Sequence, residues 1–330
     1  MRTIVIMRRT LNRLPMLAGA AALLLAVSAC GSSSGSSEGG DSGRPVVVTS
    51  FYPLAFATTQ IAGGAVDVSV LTKPGAEPHD LELGAQDIVA MTKARLVIYA
   101  DGFQPAVDDA TAQVDPGHLL DVAAAADLTL ESTEDGHKHG GESPAQLAQQ
   151  DKEHDHAGND PHFWLDPLRY AAVAKTIGLR LATDDPANAA AYGKNTDAFV
   201  AKLTALDRDY RAGLTSCTHK VIVTSHSAFG YLAQRYGLDQ HGIAGLSPEV
   251  EPSAAGLKQI NDLVRTEGIT TVYQETLVEG RFAETVAAST GAKLATLDPI
   301  EGINDKSAGS DYFEVMRSNL KALRAGQGCA

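Results

Sequence analysis

Three histidines and one aspartate in this chain share a setting that suits metal coordination. His79, His162, His226 and Asp298 each stand at or just past the end of an apolar, strand-like run, or in a loop framed by prolines. Imidazole nitrogens with one carboxylate make a closed first shell for a divalent transition metal. His79 lies in Pro74-Gly75-Ala76-Glu77-Pro78-His79-Asp80, and His162 lies in Asp160-Pro161-His162-Phe163-Trp164-Leu165-Asp166-Pro167. Pro74 and Pro78 ahead of His79, and Pro161 and Pro167 on either side of His162, restrict the backbone and hold these rings in place. His226 follows Val221-Ile222-Val223-Thr224, and Asp298 directly follows Leu294-Ala295-Thr296-Leu297. A single histidine at a strand end is ordinarily a hydrogen-bonded structural residue; the joint pattern is what points to a metal. Glu77 and Glu275 are further carboxylates that could substitute for, or assist, Asp298 as auxiliary ligands.

A second set of metal-binding side chains lies in residues 131–159. His137 and His139 are one residue apart, as are His154 and His156, among Glu131, Glu134, Asp135, Glu142, Asp151, Glu153 and Asp155. The segment reads as a surface loop that holds metal weakly at exposed imidazoles and passes it inward, or else as a solvated linker.

The remaining sequence supplies the elements that must position these groups. Strand-like runs at Val46–Ser50, Val66–Leu71, Leu96–Tyr99 and Leu119–Val122 alternate with helical stretches such as Ala85–Lys93. The alternation restarts at Val221–Thr224 and continues through Thr271–Tyr273 and Leu294–Leu297. Such alternation predicts parallel sheets covered on both faces, and ligands then bind beyond the carboxyl ends of the strands. Between the halves, Tyr192, Phe199, Leu203 and Leu206 form one apolar stripe on a long helix over 186–214. The expected fold is α/β: two Rossmann-like lobes, 44–185 and 215–330, joined by that single helix. Two ligands from each lobe would place the metal between them.

The first thirty residues belong to no lobe. Arg2, Arg8, Arg9 and Arg13 precede a short apolar run from Leu17 to Val27, the pattern of an export signal over 1–29. Val27-Ser28-Ala29-Cys30 resembles a bacterial lipobox, which makes Cys30 the expected lipid attachment residue. Residues 30–43, almost all Gly and Ser, read as a flexible tether. Removing 1–29 leaves 301 residues and takes away four arginines and no acid, so the net charge moves from −13 to −17. That acidity argues against nucleic acid or an anionic membrane surface as a partner, and favours a cationic ligand or simple solubility. Membrane attachment is expected through the lipid alone, on the extracytoplasmic face, with the chain a monomer. Cys217 and Cys329 remain, and an oxidising compartment favours a disulfide between them over two buried thiols.

These motifs resemble the zinc and manganese solute receptors of ABC importers. The resemblance rests on Phe51-Tyr52-Pro53-Leu54, on the segments around His79 and His162, and on Ser225-His226-Ser227-Ala228-Phe229. It extends through Ser247-Pro248-Glu249-Val250-Glu251-Pro252-Ser253 to Leu297-Asp298-Pro299, in the family's order from about residue 45 to residue 320. It implies a receptor rather than an enzyme, with His79, His162, His226 and Asp298 as ligands and a permease with its ATPase as partners. Manganese members carry a glutamate where His226 stands, and three nitrogens with one carboxylate suit Zn2+ better than Mn2+. The alternatives are a manganese or iron receptor of the same family and an adhesin stabilised by its metal. A zinc hydrolase would need a coordination position left open for water. One departure from the family pattern follows His79-Asp80, where Leu81-Glu82-Leu83-Gly84 replaces the usual aromatic, Glu, Pro and small residue.

Overall fold

A computed structural model describes residues 43–131 and 158–330. The first half begins with β1 (Val46–Thr49), whose branched side chains suit a strand buried on both faces. It is followed by α1 (Tyr52–Ala62), β2 (Asp67–Val70), α2 (Ala85–Lys93), β3 (Leu96–Tyr99), α3 (Pro105–Thr111), β4 (Leu119–Asp121) and α4 (Ala123–Ala126). All pairings are parallel, in the order β2-β1-β3-β4.

Two helices then lead to the second half: α5 (Pro167–Asp184) and α6 (Ala189–Leu214). Asp166 caps α5 by accepting from Leu168 N–H at 2.9 Å, and Pro167 supplies the fixed φ favoured in a first turn. Gly178 lets α5 and α6 pack closely, since a Cβ there would lie 2.1 Å from Thr196 Oγ1. With 26 residues, α6 runs about 39 Å, long enough to pass along both lobes. Its described start is Ala189, three residues later than the sequence pattern predicts.

The second half contains β5 (Val221–Thr224), α7 (Gly230–Tyr236), β6 (Asp239–Gly242), α8 (Ala254–Thr266), β7 (Thr271–Gln274), α9 (Arg281–Thr290), β8 (Lys293–Thr296) and α10 (Tyr312–Gly326). Its parallel order, β6-β5-β7-β8, repeats that of the first sheet. In both sheets the strand order reverses beside the first strand, which makes a crevice at the carboxyl edge.

The core has three parts. One apolar cluster, including Val48, Met91 and Val107, belongs to the first lobe, and another, including Val223, Ile260 and Val286, belongs to the second. The third runs through both, joining Leu54, Trp164, Tyr170, Phe199, Leu206, Tyr236 and Tyr312. Cys217 and Cys329 form a disulfide that ties the chain before β5 to the segment after α10. Among the described residues no helix is long and apolar enough to cross a membrane. Cys30 and the loop histidines His137, His139, His154 and His156 lie outside the described residues.

Candidate metal centre

His79 sits on the loop between β2 and α2, and His162 opens a short helical turn, Phe163–Leu165, ahead of α5. His226 follows β5, and Glu301 lies on the loop after β8. His162, His226 and Glu301 are fully buried, while the His79 side chain keeps 9% of its surface exposed.

These four residues each bring one donor atom to a common point, all within 4.8 Å of one another. His162 Nε2 lies 3.2 Å from His79 Nε2, 3.4 Å from His226 Nε2 and 3.1 Å from Glu301 Oε1. Glu301 Oε1 is 3.2 Å from His226 Nε2 and 3.5 Å from His79 Nε2. A tetrahedral zinc shell with bonds of about 2.0–2.1 Å has donor–donor edges of about 3.3–3.4 Å. Five of the separations, 3.1–3.5 Å, bracket that value, and the sixth, between His79 and His226, lies within 4.8 Å. Four electron-pair donors at such distances repel unless a cation or shared protons lie among them.

Outer carboxylates set the orientation of two of the rings. Asp160 Oδ1 accepts from the His162 main-chain N–H at 2.9 Å and faces its Nδ1 at 2.7 Å. Glu275 Oε1 does the same for His226, at 2.9 Å and 2.7 Å. A proton held on each Nδ1 leaves the Nε2 lone pair free to point inward. The Asp160 clamp is itself supported: Tyr231 on α7 donates to Asp160 O at 2.9 Å and accepts from Thr129 N–H at 3.1 Å. Gly230 permits this approach, because a Cβ there would fall 2.6 Å from Asp160 Oδ2. Glu77 accepts from the His79 main-chain N–H at 2.9 Å. Thus Glu275 braces a histidine ring and Glu77 braces the backbone of another, and neither belongs to the converging set.

Aromatic rings wall the site. Phe103 meets His79 edge-on at 4.8 Å between centroids, and Trp164 lies 5.2 Å from the His162 ring. Burial pushes the His79 pKa down. Burial also opposes charge on His162, but Asp160 and Glu301 outweigh it and raise its pKa. For His226 the carboxylates of Glu275 and Glu301 outweigh burial by more, and hold its pKa well above the ordinary value. Burial likewise opposes charge on Glu301, yet His226 and the hydrogen bonds from the three rings hold it well below the usual carboxylate range. Glu77 is pushed up to about 9 by burial and by the nearby Glu301.

The structure brings together three members of the expected set and not the fourth. His79, His162 and His226 converge, but Asp298 does not join them, and Glu301 stands in its place. Asp298 is buried and turned into its own loop, where Oδ1 accepts from Ile300 N–H at 2.8 Å. Glu301 stands three residues beyond Asp298, in the loop at the same sheet edge. A signal for Glu301 was available in Asp298-Pro299-Ile300-Glu301-Gly302, a second carboxylate between turn-forming residues in the same loop.

The family described as zinc-uptake complex component A, periplasmic, matches residues 47–326. The high-affinity zinc uptake system protein ZnuA of Bacillus subtilis is 36% identical over 309 residues, covering 92% of this chain and 94% of its own. The zinc-binding protein AdcA of Streptococcus pyogenes serotype M3 is 37% identical over 289 residues; the match takes in 86% of this chain and 56% of the relative's length. The chain therefore spans little more than half of that streptococcal protein. The crystal structure of the Zn(II)-bound ZnuA-like domain of Streptococcus pneumoniae AdcA superposes with a TM-score of 0.69 at 33% identity, covering 86% of this chain and 99% of that one. On the family match over residues 47–326 and the Bacillus subtilis relative, the chain belongs to the family of zinc-uptake complex component A, periplasmic.

Proposed function

We propose that this protein is the extracytoplasmic receptor of a zinc ABC importer, with His79, His162, His226 and Glu301 as the ligands of its cargo. The carrying observation is the convergence of three Nε2 atoms and one carboxylate oxygen, all within 4.8 Å of one another, in a buried site. Nitrogen-rich, four-donor coordination favours Zn2+ over Mn2+, which takes more oxygen ligands. Four protein donors complete the shell and leave no position for a reacting water, which suits a carrier and not a hydrolase. A permease and its ATPase are the partners of such a receptor, and lipid on Cys30 would keep it at the membrane.

Metal analysis of protein purified without chelator or added metal tests the reading. One zinc per chain is expected, lost in His226→Ala. A chain that carries manganese or iron and rejects zinc would overturn the cargo assignment. Normal growth of a deletion strain under zinc chelation would overturn the importer role.

A further inference from the structure

We infer that Asp298 and Trp164 are positioning residues that aim Glu301 through a left-handed backbone turn at Ile300. The inference rests on the reading of Glu301 as a zinc ligand. Ile300 has φ 58°, one of two positive-φ non-glycine residues among those described. A branched side chain makes this conformation costly, and it persists only where the surroundings over-determine it.

The surroundings do so residue by residue. Asn319 on α10 accepts from Asp298 N–H at 2.9 Å and donates to Asp298 O at 2.6 Å, which fixes the start of the loop. Asp298 Oδ1 then accepts from Ile300 N–H at 2.8 Å. Between them, Trp164 donates its indole N–H to Pro299 O at 2.7 Å. The Ile300 side chain itself is fully buried. With the left-handed turn in place, the next residue delivers its carboxylate to the three imidazoles. An extended or right-handed Ile300 would send the chain elsewhere.

Trp164 gives the brace a second end. It lies two residues after His162, so one side chain ties the segment bearing His162 to the loop bearing Glu301. Those two donors come from different halves of the chain and stand 3.1 Å apart. Asp298 thus acts on the site without touching the cargo.

The test uses the full chain loaded with Zn2+ for affinity and with Co2+ for its visible d–d spectrum, which reports the ligand set. Asp298→Ala is expected to weaken zinc binding about 10–100-fold and to shift the Co2+ bands. Asp298→Asn keeps an acceptor at Oδ1 and should stay within about threefold of the parent. Adding Ile300→Gly to Asp298→Ala should restore affinity and spectrum, because glycine adopts positive φ without the Asp298 bond. Trp164→Phe, which keeps the ring and loses the donor, should weaken binding about tenfold. Lowered stability with unchanged affinity and spectrum in Asp298→Ala would overturn the inference, as would an equal loss in Asp298→Asn. Glu301→Ala separates the two readings. If it leaves the Co2+ spectrum unchanged, the ligand assignment fails; if it changes the spectrum while Asp298→Ala does not, only the positioning role fails.

Discussion

Removing the carboxylate behind His226 should weaken zinc binding by an amount that depends on pH in a defined direction. Glu275 Oε1 takes two N–H groups of His226, at 2.9 Å from the main chain and 2.7 Å from Nδ1. Glu275→Ala leaves both buried donors unpaired. Loss of such an outer partner costs about 10–100-fold in metal affinity, or about 1.4–2.7 kcal/mol. Glu275→Gln keeps an oxygen but loses the charge. A hydrogen bond to a charged group contributes about 1.5–3 kcal/mol and a neutral one about 0.5–1.5, so the difference predicts about a 5–10-fold loss. A second effect works the other way. Against the opposing pull of burial, Glu275 and Glu301 hold the proton on His226 in the metal-free protein. Zinc must displace that proton from the parent at low pH, and less so from Glu275→Gln. The gap between parent and Gln variant should therefore narrow on going from about pH 8 to about pH 6. Competition against a chromophoric zinc chelator at several pH values measures it. An Ala variant within about threefold of the parent at the higher pH would refute the reasoning. So would a Gln variant as weak as Ala with an altered Co2+ spectrum, since Glu275 would then be a direct ligand.

Other outcomes follow from the same geometry. Glu301→Ala removes one partner of a buried charged group, about 3–5 kcal/mol, so zinc affinity should fall about 10²–10⁴-fold in the same competition assay. Because His162 and His226 are raised and His79 is lowered, zinc binding near neutral pH should release about one to two protons, read by calorimetry in buffers of different ionisation enthalpy; release of none would contradict the assignment. In the metal-free chain, the stability given by raised His226 is full below its unfolded pKa and lost as pH rises through its folded value. That given by depressed Glu301 is present above its unfolded pKa and lost as pH falls through its folded value, so thermal unfolding should show an intermediate optimum. The Cys217–Cys329 bond spans a sequence separation of 112, and replacing both cysteines by serine should cost about 2–5 kcal/mol in denaturant unfolding while leaving zinc affinity unchanged.

Much of this site is legible in the sequence because its parts obey local rules. His226 sits just past four β-branched residues and His79 just past the run ending near Leu71, which places both at a sheet edge without coordinates, while Pro161 and Pro167 mark the loop of His162. Glu301 is different: its direction depends on the sign of one backbone angle at Ile300, which is set by Asp298, Trp164 and Asn319 from three places in the chain. Periodicity carries no record of that. The same limit applies to β6, whose Asp239-Gln240-His241-Gly242 lacks an apolar pattern and is a strand because it pairs with β5 at the edge of the sheet. The short α3 escaped for want of length, although Pro105 at its first position was a usable start signal.

The placement of Trp164 has a practical consequence. It is the only tryptophan in the chain, its ring is fully buried beside His162, and its N–H reaches across to the loop that carries Glu301. Intrinsic fluorescence excited at the red edge of protein absorption therefore comes from one chromophore at the seam between the halves. Loading the site should change its intensity or wavelength without any label, and stopped-flow mixing could then time capture and release directly.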